Sequence, residues 1–299
     1  MQGIIIENIS NLYKVKANGT VYSASARGKF KQEGVTPLVG DIVEFEIIKD
    51  KNEIEAIIND IHPRINELKR PKMANLEQII FMISTKHPKP DLLMLDKQLC
   101  YAEYLGIKPV IIINKIDLSD KYKKIVEIYT KAGYTTIATN AKEKKGVDKV
   151  KEILKGKLSA FSGNSGVGKS TTINALFNTD ITLEGEISKK NKKGKNTTTQ
   201  VKLYELDDNT FIADTPGFAN FELSEIEYKD LEKYFIDIAP YVDKCEFVGC
   251  SHIKEQNCGV KHALETGKIA KERYDSYCKI YTILYKKYWQ TIKKIVLLY

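Results

Sequence analysis

Residues 163–170 read GNSGVGKS, the pattern Gly-x4-Gly-Lys-Ser. Gly163 and Gly168 let backbone N–H groups turn onto a phosphate, Lys169 can bridge a β- and a γ-phosphate, and the Ser170 hydroxyl can ligate Mg²⁺ at a helix N-terminus. The chemistry suited to this spacing is the binding of a nucleoside triphosphate, with Gly163, Asn164, Ser165, Gly166, Val167, Gly168, Lys169, Ser170 and Thr171 as the contact set. DTPG, at 214–217, follows the apolar stretch TFIA. That context places Asp214 at the end of a strand, where it can hold Mg²⁺ through water, and Gly217 where its N–H can meet a γ-phosphate.

NKID, at 114–117, selects the base. Asp117 can accept two hydrogen bonds, from guanine N1–H and from the exocyclic 2-amino group. Adenine offers neither donor, and a polar site of this kind rejects the wrong partner by roughly 10⁴-fold. Asn114 is positioned to brace the loop, and the stem of Lys115 to lie against the base. TNAK, at 139–142, follows the next strand and can offer a backbone N–H to guanine O6. KGKNTTTQ, at 193–200, lies where a flexible segment closes a threonine on Mg²⁺ when a γ-phosphate is present. Thr198 is preferred to Thr197 as that ligand; a lysine-rich solvated loop is the alternative.

Cys245-x4-Cys250-x-His252-x5-Cys258 supplies three thiolates and one imidazole in one short segment. This is the number and type of donors for a closed tetrahedral Zn²⁺ site, structural because no fourth position is left open. Loss of one such ion would cost on the order of 10 kcal/mol of folding energy. Cys100 and Cys278 sit on helical patterns and read as buried thiols, whereas His62, His87 and His262 have no partners nameable from sequence.

These residues need elements to hold them. Residues 1–70 contain GIIIENI, NLYKVKA, TVYSASA, DIVEFEII and EIEAIINDI, separated by Gly, Asn and Asp. The pattern predicts a small antiparallel barrel of five short strands, either RNA-binding or purely structural. From about residue 75 strands alternate with helices: strand 78–84, helix 91–106, strand PVIII, helix 120–132, strand TTIAT, helix GVDKVKEIL, strand LSAFS, helix 169–177, and strands VKLYEL and TFIAD. This is an α/β, doubly wound pattern. Beyond residue 222 the sequence predicts helices flanking the cysteine cluster. The expected domains are 1–70, 71–222 and 223–299.

The chain has 299 residues, 42% of them hydrophobic and 29% charged, as in ordinary soluble proteins. No apolar run approaches the ~20 residues that span a bilayer, and the first residues lack the features of a secretory signal, so a cytoplasmic protein is expected. The net charge of +8 makes a polyanionic partner plausible. Much of the excess lies in KKNKKGK (189–195), which as a solvated loop would say nothing about partners. ILYKKYWQTIKKIVLLY (283–299) mixes basic and aromatic residues on a helical pattern. Core packing of a terminal helix is its first explanation; RNA contact and a membrane surface are the others.

A guanine motif ahead of the phosphate loop, a barrel before them and a Cys/His cluster behind resembles the circularly permuted, ribosome small subunit-dependent GTPases of the RsgA/YjeQ family. The quoted segments VGDIVEFE, NKIDL, GNSGVGKST, TTT, DTPGF and CEFVGCSHIKEQNCGVKHA cover nearly the whole chain. The resemblance implies a circularly permuted P-loop GTPase domain flanked by an N-terminal OB-type β-barrel and a C-terminal helical zinc-binding domain. It also implies GTP and GDP as ligands, Mg²⁺ and one Zn²⁺ as cofactors, and the small ribosomal subunit with its rRNA as partner. No membrane association and a monomer are expected.

In this family a His usually precedes the switch threonines; here Asn196 stands there. Phe218 follows DTPG where many G proteins have Gln, as the resemblance implies, and Gln256 stands where the family commonly has Pro, without touching a metal ligand. Elements that orient the attacking water are worth roughly 10³ to 10⁵ in rate. Slow intrinsic hydrolysis, dependent on the ribosome, is therefore expected. Two other readings stand beside it: a GTP-gated RNA-binding module with little hydrolysis, and a P-loop kinase using ATP, against which Asp117 argues.

Overall fold

The structure, a computed structural model, describes residues 1–48, 55–69, 71–177, 201–214 and 223–296. Asn196, Thr197, Thr198, Gly217 and Phe218 lie outside the described residues. In chain order the strands are β1 (Gln2–Ile9), β2 (Leu12–Ala17), β3 (Thr20–Ala26), β4 (Ile42–Ile47), β5 (Ala56–Ile61), β6 (Glu67–Lys69), β7 (Lys72–Ala74), β8 (Gln78–Ser84), β9 (Lys108–Asn114), β10 (Thr135–Ala138), β11 (Leu158–Ser162), β12 (Lys202–Asp207) and β13 (Thr210–Asp214). The chain forms two compact units. One comprises Met1–Ile80, Val147–Ser162 and Lys169–Ala219; the other comprises Phe81–Gly146, Gly163–Gly168 and Asn220–Tyr299.

In the first unit, β1 to β5 close into a barrel in the order β1-β2-β3-β5-β4, sealed by pairing of β1 with β4. Alternation along the strands sends Ile5, Val15, Ala24, Val43, Phe45 and Ile58 inward, all of them buried. The barrel is not wholly antiparallel as expected, because β3 and β5 run parallel, with Ala24 opposite Ala56. A ring of five strands cannot alternate in direction all the way round, so one pairing has to be parallel. The turn at Gly40-Asp41 is pinned by charge. Arg64 donates to both carboxylate oxygens of the fully buried Asp41, at 2.8 Å each, and Asp41 also accepts from the N–H of Leu38 at 2.7 Å. Gly40 has φ 92°, and a Cβ there would lie 2.1 Å from the carbonyl oxygen of Ala74.

The short hairpin β6–β7 had no sequence signal strong enough to register. Beyond it, β12 joins the barrel to the α/β part through one antiparallel pair, Glu7 opposite Lys202. β12 lies antiparallel on β13, which lies parallel to β11 with Ala160 opposite Ala213.

The second unit carries parallel strands β10 and β9 and the part of β8 from Phe81 onward. Every residue of β8 is buried, as a strand covered on both faces requires. Helix Leu92–Tyr104 starts at Asp91, whose carboxylate caps the N–H of Met94 at 3.0 Å. After residue 222 the chain forms 3₁₀ turns at Leu223–Glu225, Leu231–Tyr234 and Ala239–Lys244, then helices Gly259–Glu265 and Lys271–Val296. The cysteine cluster is therefore flanked by tight turns on one side and helices on the other.

Arg273 holds this region to the helix Leu92–Tyr104. Its guanidinium is buried, donates to Asp96 at 2.7 Å and to both oxygens of Asp237 at 2.6 and 3.0 Å, and lies 4.5 Å from the centre of the Phe235 ring. Asp96 also accepts from the Tyr129 hydroxyl at 2.9 Å. Cys100 is buried in the same region as expected, and burial pushes its thiol up to about 12; Cys278 is half-buried.

Candidate functional site

The guanine motif sits at the carboxyl end of β9, where the strand stops and side chains can turn toward a ligand. Asn114 is buried, and its amide is fully used. Its Nδ2 donates to the carbonyl of Val167 at 3.0 Å, while its Oδ1 accepts from the Thr139 hydroxyl at 3.0 Å and from the Ala141 N–H at 3.1 Å. One side chain thus joins NKID, TNAK and the phosphate loop, all within the second unit. The N–H of Ala141 is committed to Asn114, which removes it from the donors that TNAK was expected to offer guanine O6.

Lys115 occupies the left-handed region, with φ 60° and ψ 42°. Its ammonium donates to the carbonyls of Gly166 (2.6 Å) and His87, so its stem runs across toward the phosphate loop. Thr85 fixes that conformation from behind: its hydroxyl donates to the Lys115 carbonyl at 2.6 Å, and its N–H donates to the Asn114 carbonyl at 3.2 Å. No motif flags Thr85; only its position just past the end of β8 hints at it. Asp117 lies in the 3₁₀ turn Ile116–Leu118 with its side chain exposed.

In the phosphate loop, Gly163 and Gly168 have φ 150° and 103°, a conformation L side chains rarely adopt. Space demands glycine as well. A Cβ at 163 would lie 2.4 Å from the Met82 carbonyl oxygen, and one at 168 would lie 2.2 Å from Asn114 Nδ2. Val167 is buried and anchors the loop, while Asn164 and Ser165 are exposed.

In the first unit, Lys169, Ser170 and Thr171 begin the helix Lys169–Phe177. Burial lowers the Lys169 ammonium from the ordinary lysine range, an environment in which an anion is a favourable neighbour. Asp214 ends β13, one residue beyond the Ala160–Ala213 pair, at the carboxyl end of the strand as expected.

The donor atoms of Cys245, Cys250, His252 and Cys258 all lie within 4.8 Å of one another. Cys245 and Cys258 sulfurs are 3.8 Å apart, and each is 3.4 Å from His252 Nδ1. A tetrahedron with metal–sulfur bonds of about 2.3 Å and a metal–nitrogen bond of about 2.0 Å has edges of about 3.8 and 3.5 Å, so the residues fit an ion of that type. The other ring nitrogen, Nε2, lies 2.7 Å from a Glu232 carboxylate oxygen, which directs Nδ1 inward. The backbone carbonyl of His252 accepts from the Tyr274 hydroxyl at 2.6 Å, holding the residue at φ 61°. Glu255 folds back on the loop and accepts from the N–H groups of Ser251, Ile253 and Lys254 at 2.9 to 3.1 Å. Of the histidines without nameable partners, His62 proves to bond Glu44 at 3.1 Å, and His87 serves through its carbonyl.

The RsgA GTPase family model matches residues 61–224, and that of the RsgA N-terminal domain matches residues 2–57. A protein of Ruminiclostridium cellulolyticum named small ribosomal subunit biogenesis GTPase RsgA is 41% identical over 94% of this chain and 93% of its own length. One of the same name from Clostridium kluyveri is 40% identical over 93% of this chain and 96% of its own. Among solved structures, YjeQ from Thermotoga maritima matches with a TM-score of 0.80 at 35% identity, covering 95% of this chain and 98% of that one. YloQ, described as a circularly permuted GTPase, matches with a TM-score of 0.80 at 30% identity, covering 96% and 95%.

Proposed function

Since the chain belongs to the RsgA GTPase family, we propose that it hydrolyses GTP to GDP and phosphate, binds the small ribosomal subunit with its rRNA, and acts in that subunit's biogenesis. The observation that carries the reading is Asn114, whose amide bonds the guanine motif to Thr139, Ala141 and Val167 although the motif precedes the phosphate loop in the chain.

Asp117 selects guanine through two accepted hydrogen bonds, and the stem of Lys115 flanks the base. Amides of residues 163–168 and the Lys169 ammonium stabilise charge developing on the transferred phosphoryl group. Ser170 and Thr198 would ligate Mg²⁺ and Asp214 would hold it through water, the ion supplying neutralisation of phosphate charge, and Gly217 would sense the γ-phosphate. Cys245, Cys250, His252 and Cys258 would hold one structural Zn²⁺, in keeping with a donor set that leaves no open position. The working domains are 1–70, 71–222 and 223–299. Among the described residues no helix is long and apolar enough to cross a membrane; the protein acts as a cytoplasmic monomer.

With Asn196 and Phe218 at the two positions where a water-orienting side chain could stand, intrinsic hydrolysis is slow and the subunit stimulates it. Single-turnover GTP hydrolysis with and without purified small subunits tests this, repeated on Asn196→His. Stimulation by subunits and faster intrinsic hydrolysis by the variant are expected. Turnover that is fast alone and unchanged by subunits would overturn the proposal.

A further inference from the structure

The C-terminal helix Lys271–Val296 changes character at Leu284. Up to there it serves the core, with Tyr277, Ile280 and Leu284 buried, as expected of a terminal helix. Residues 285–290 are then all exposed, so core packing does not explain them. They include Tyr285, Tyr288 and Trp289, at 42%, 39% and 44% exposure.

The exposed rings are held in order. Tyr281, Tyr285 and Trp289 follow at four-residue steps with centroids 6.2 Å apart, the first two nearly parallel at 12°. Tyr228 braces them from outside the helix, its ring 5.5 Å from Tyr281 and 5.2 Å from both Tyr285 and Tyr288. Round the helix from this stripe runs a row of cations, nearest to it at Trp289, which lies about 60° from Lys286 and about 40° from Lys293. Lys279, Lys286 and Lys293 recur every seven residues, which puts them on one face about 10 Å apart along the axis, and all three are exposed. Lys287 lies on a neighbouring face, and Lys229 covers the Tyr228 ring at 5.8 Å. From Ser276 to the end of the sequence there is no Asp or Glu.

We infer that residues 279–293 form an RNA-binding stripe, with lysines on the phosphate backbone and Tyr285 and Trp289 as stacking surfaces for unpaired bases. Charge complementarity names the occupant: lysines at backbone-tracking intervals, on a segment that carries no carboxylate of its own from Ser276 onward, favour a polyanion, and pre-ordered aromatic faces suit bases of any sequence. The inference rests on the reading of the chain as a small-subunit GTPase, which supplies the ribosomal RNA.

Trp289 is the single tryptophan of the chain, so its fluorescence reports on this helix alone. The full-length protein is titrated with an unstructured oligouridylate and, separately, with phosphatidylglycerol vesicles, and its affinity for a fluorescent GDP is measured in parallel. RNA is expected to quench Trp289, and rising salt to abolish the quenching. The variant K279E/K286E/K293E is expected to weaken RNA binding by about tenfold or more while leaving GDP affinity unchanged. Absence of quenching by RNA in the unaltered protein overturns the inference whatever the variant does. So does a blue shift on vesicles without a response to RNA, which would assign the stripe to a lipid surface. Loss of GDP binding in the unaltered protein would instead strike the GTPase reading, with the RNA titration still decisive for the stripe.

Discussion

Asn114 donates from its side-chain nitrogen to the carbonyl of Val167 at 3.0 Å, across 53 positions of chain. The same amide accepts from Thr139 and Ala141. NKID and the loop GNSGVGKS are therefore joined by hydrogen bonds through a buried side chain, and reversal of their order in the chain is no obstacle to that connection.

Replacing Asn114 with Ala leaves these buried partners unsatisfied, each at about 1–3 kcal/mol. We expect GDP to bind at least about 30-fold more weakly, equivalent to about 2 kcal/mol. Thr139→Val, which removes one of the three bonds, should cost less. Titration with a fluorescent GDP measures both; equal affinities in Asn114→Ala and the unaltered protein would refute the bracing role.

Asp117→Asn exchanges an acceptor pair for an amide that can also donate. Guanine then meets a donor at its 2-amino group, whereas xanthine, with a carbonyl there, finds a partner. GTP affinity should fall by roughly 10² to 10⁴-fold while XTP becomes the preferred ligand. Competition between the two nucleotides decides it, and retained preference for GTP would remove Asp117 from base recognition.

Glu232→Gln keeps the shape beside His252 Nε2 but removes the charge that orients the imidazole. Metal affinity should fall by roughly 10- to 100-fold, read by competition with a chromophoric chelator. Stripping the metal should lower the thermal stability of the region around residues 245–258 without abolishing GDP binding. An unaltered melting profile after removal would contradict a structural role.

Burial alone would raise the Glu255 carboxyl, but the hydrogen bonds it accepts outweigh this and hold it down at about 2, against an ordinary value of 4.5. A depressed folded value stabilises the loop above the unfolded pKa, and that contribution is lost as pH falls through the window from 4.5 toward 2. The melting-temperature difference between the unaltered protein and Glu255→Gln should accordingly be largest above this window and shrink toward its acid end. Subtraction cancels the protonation of the metal ligands, which both proteins share. A difference independent of pH would assign Glu255 no linked proton.

Much of this protein is legible in its sequence because its chemistry is local. GNSGVGKS needs glycine where φ is positive and where a carbonyl or amide sits against the backbone, and both needs are written as residue types within one loop. The run QIIFMIS reads as a doubly covered strand because burial on both faces leaves no polar position, and the structure buries all of it. The four candidate metal donors lie close enough in sequence for spacing alone to name them.

What sequence alone could not determine are the relations between distant segments. Arg273 reads as one more basic residue on a helix, yet it is buried against Asp96, 177 positions away, because only a paired cation can leave water. Thr85 holds Lys115 through its hydroxyl across 30 positions and belongs to no motif. The parallel pairing of β3 with β5 follows from closing five strands into a ring, a constraint that no single strand's pattern contains. At the C-terminus the amphipathic pattern continues through Leu284, but whether a helical face meets protein or solvent depends on what packs beside it, and only the tertiary structure leaves residues 285–290 exposed.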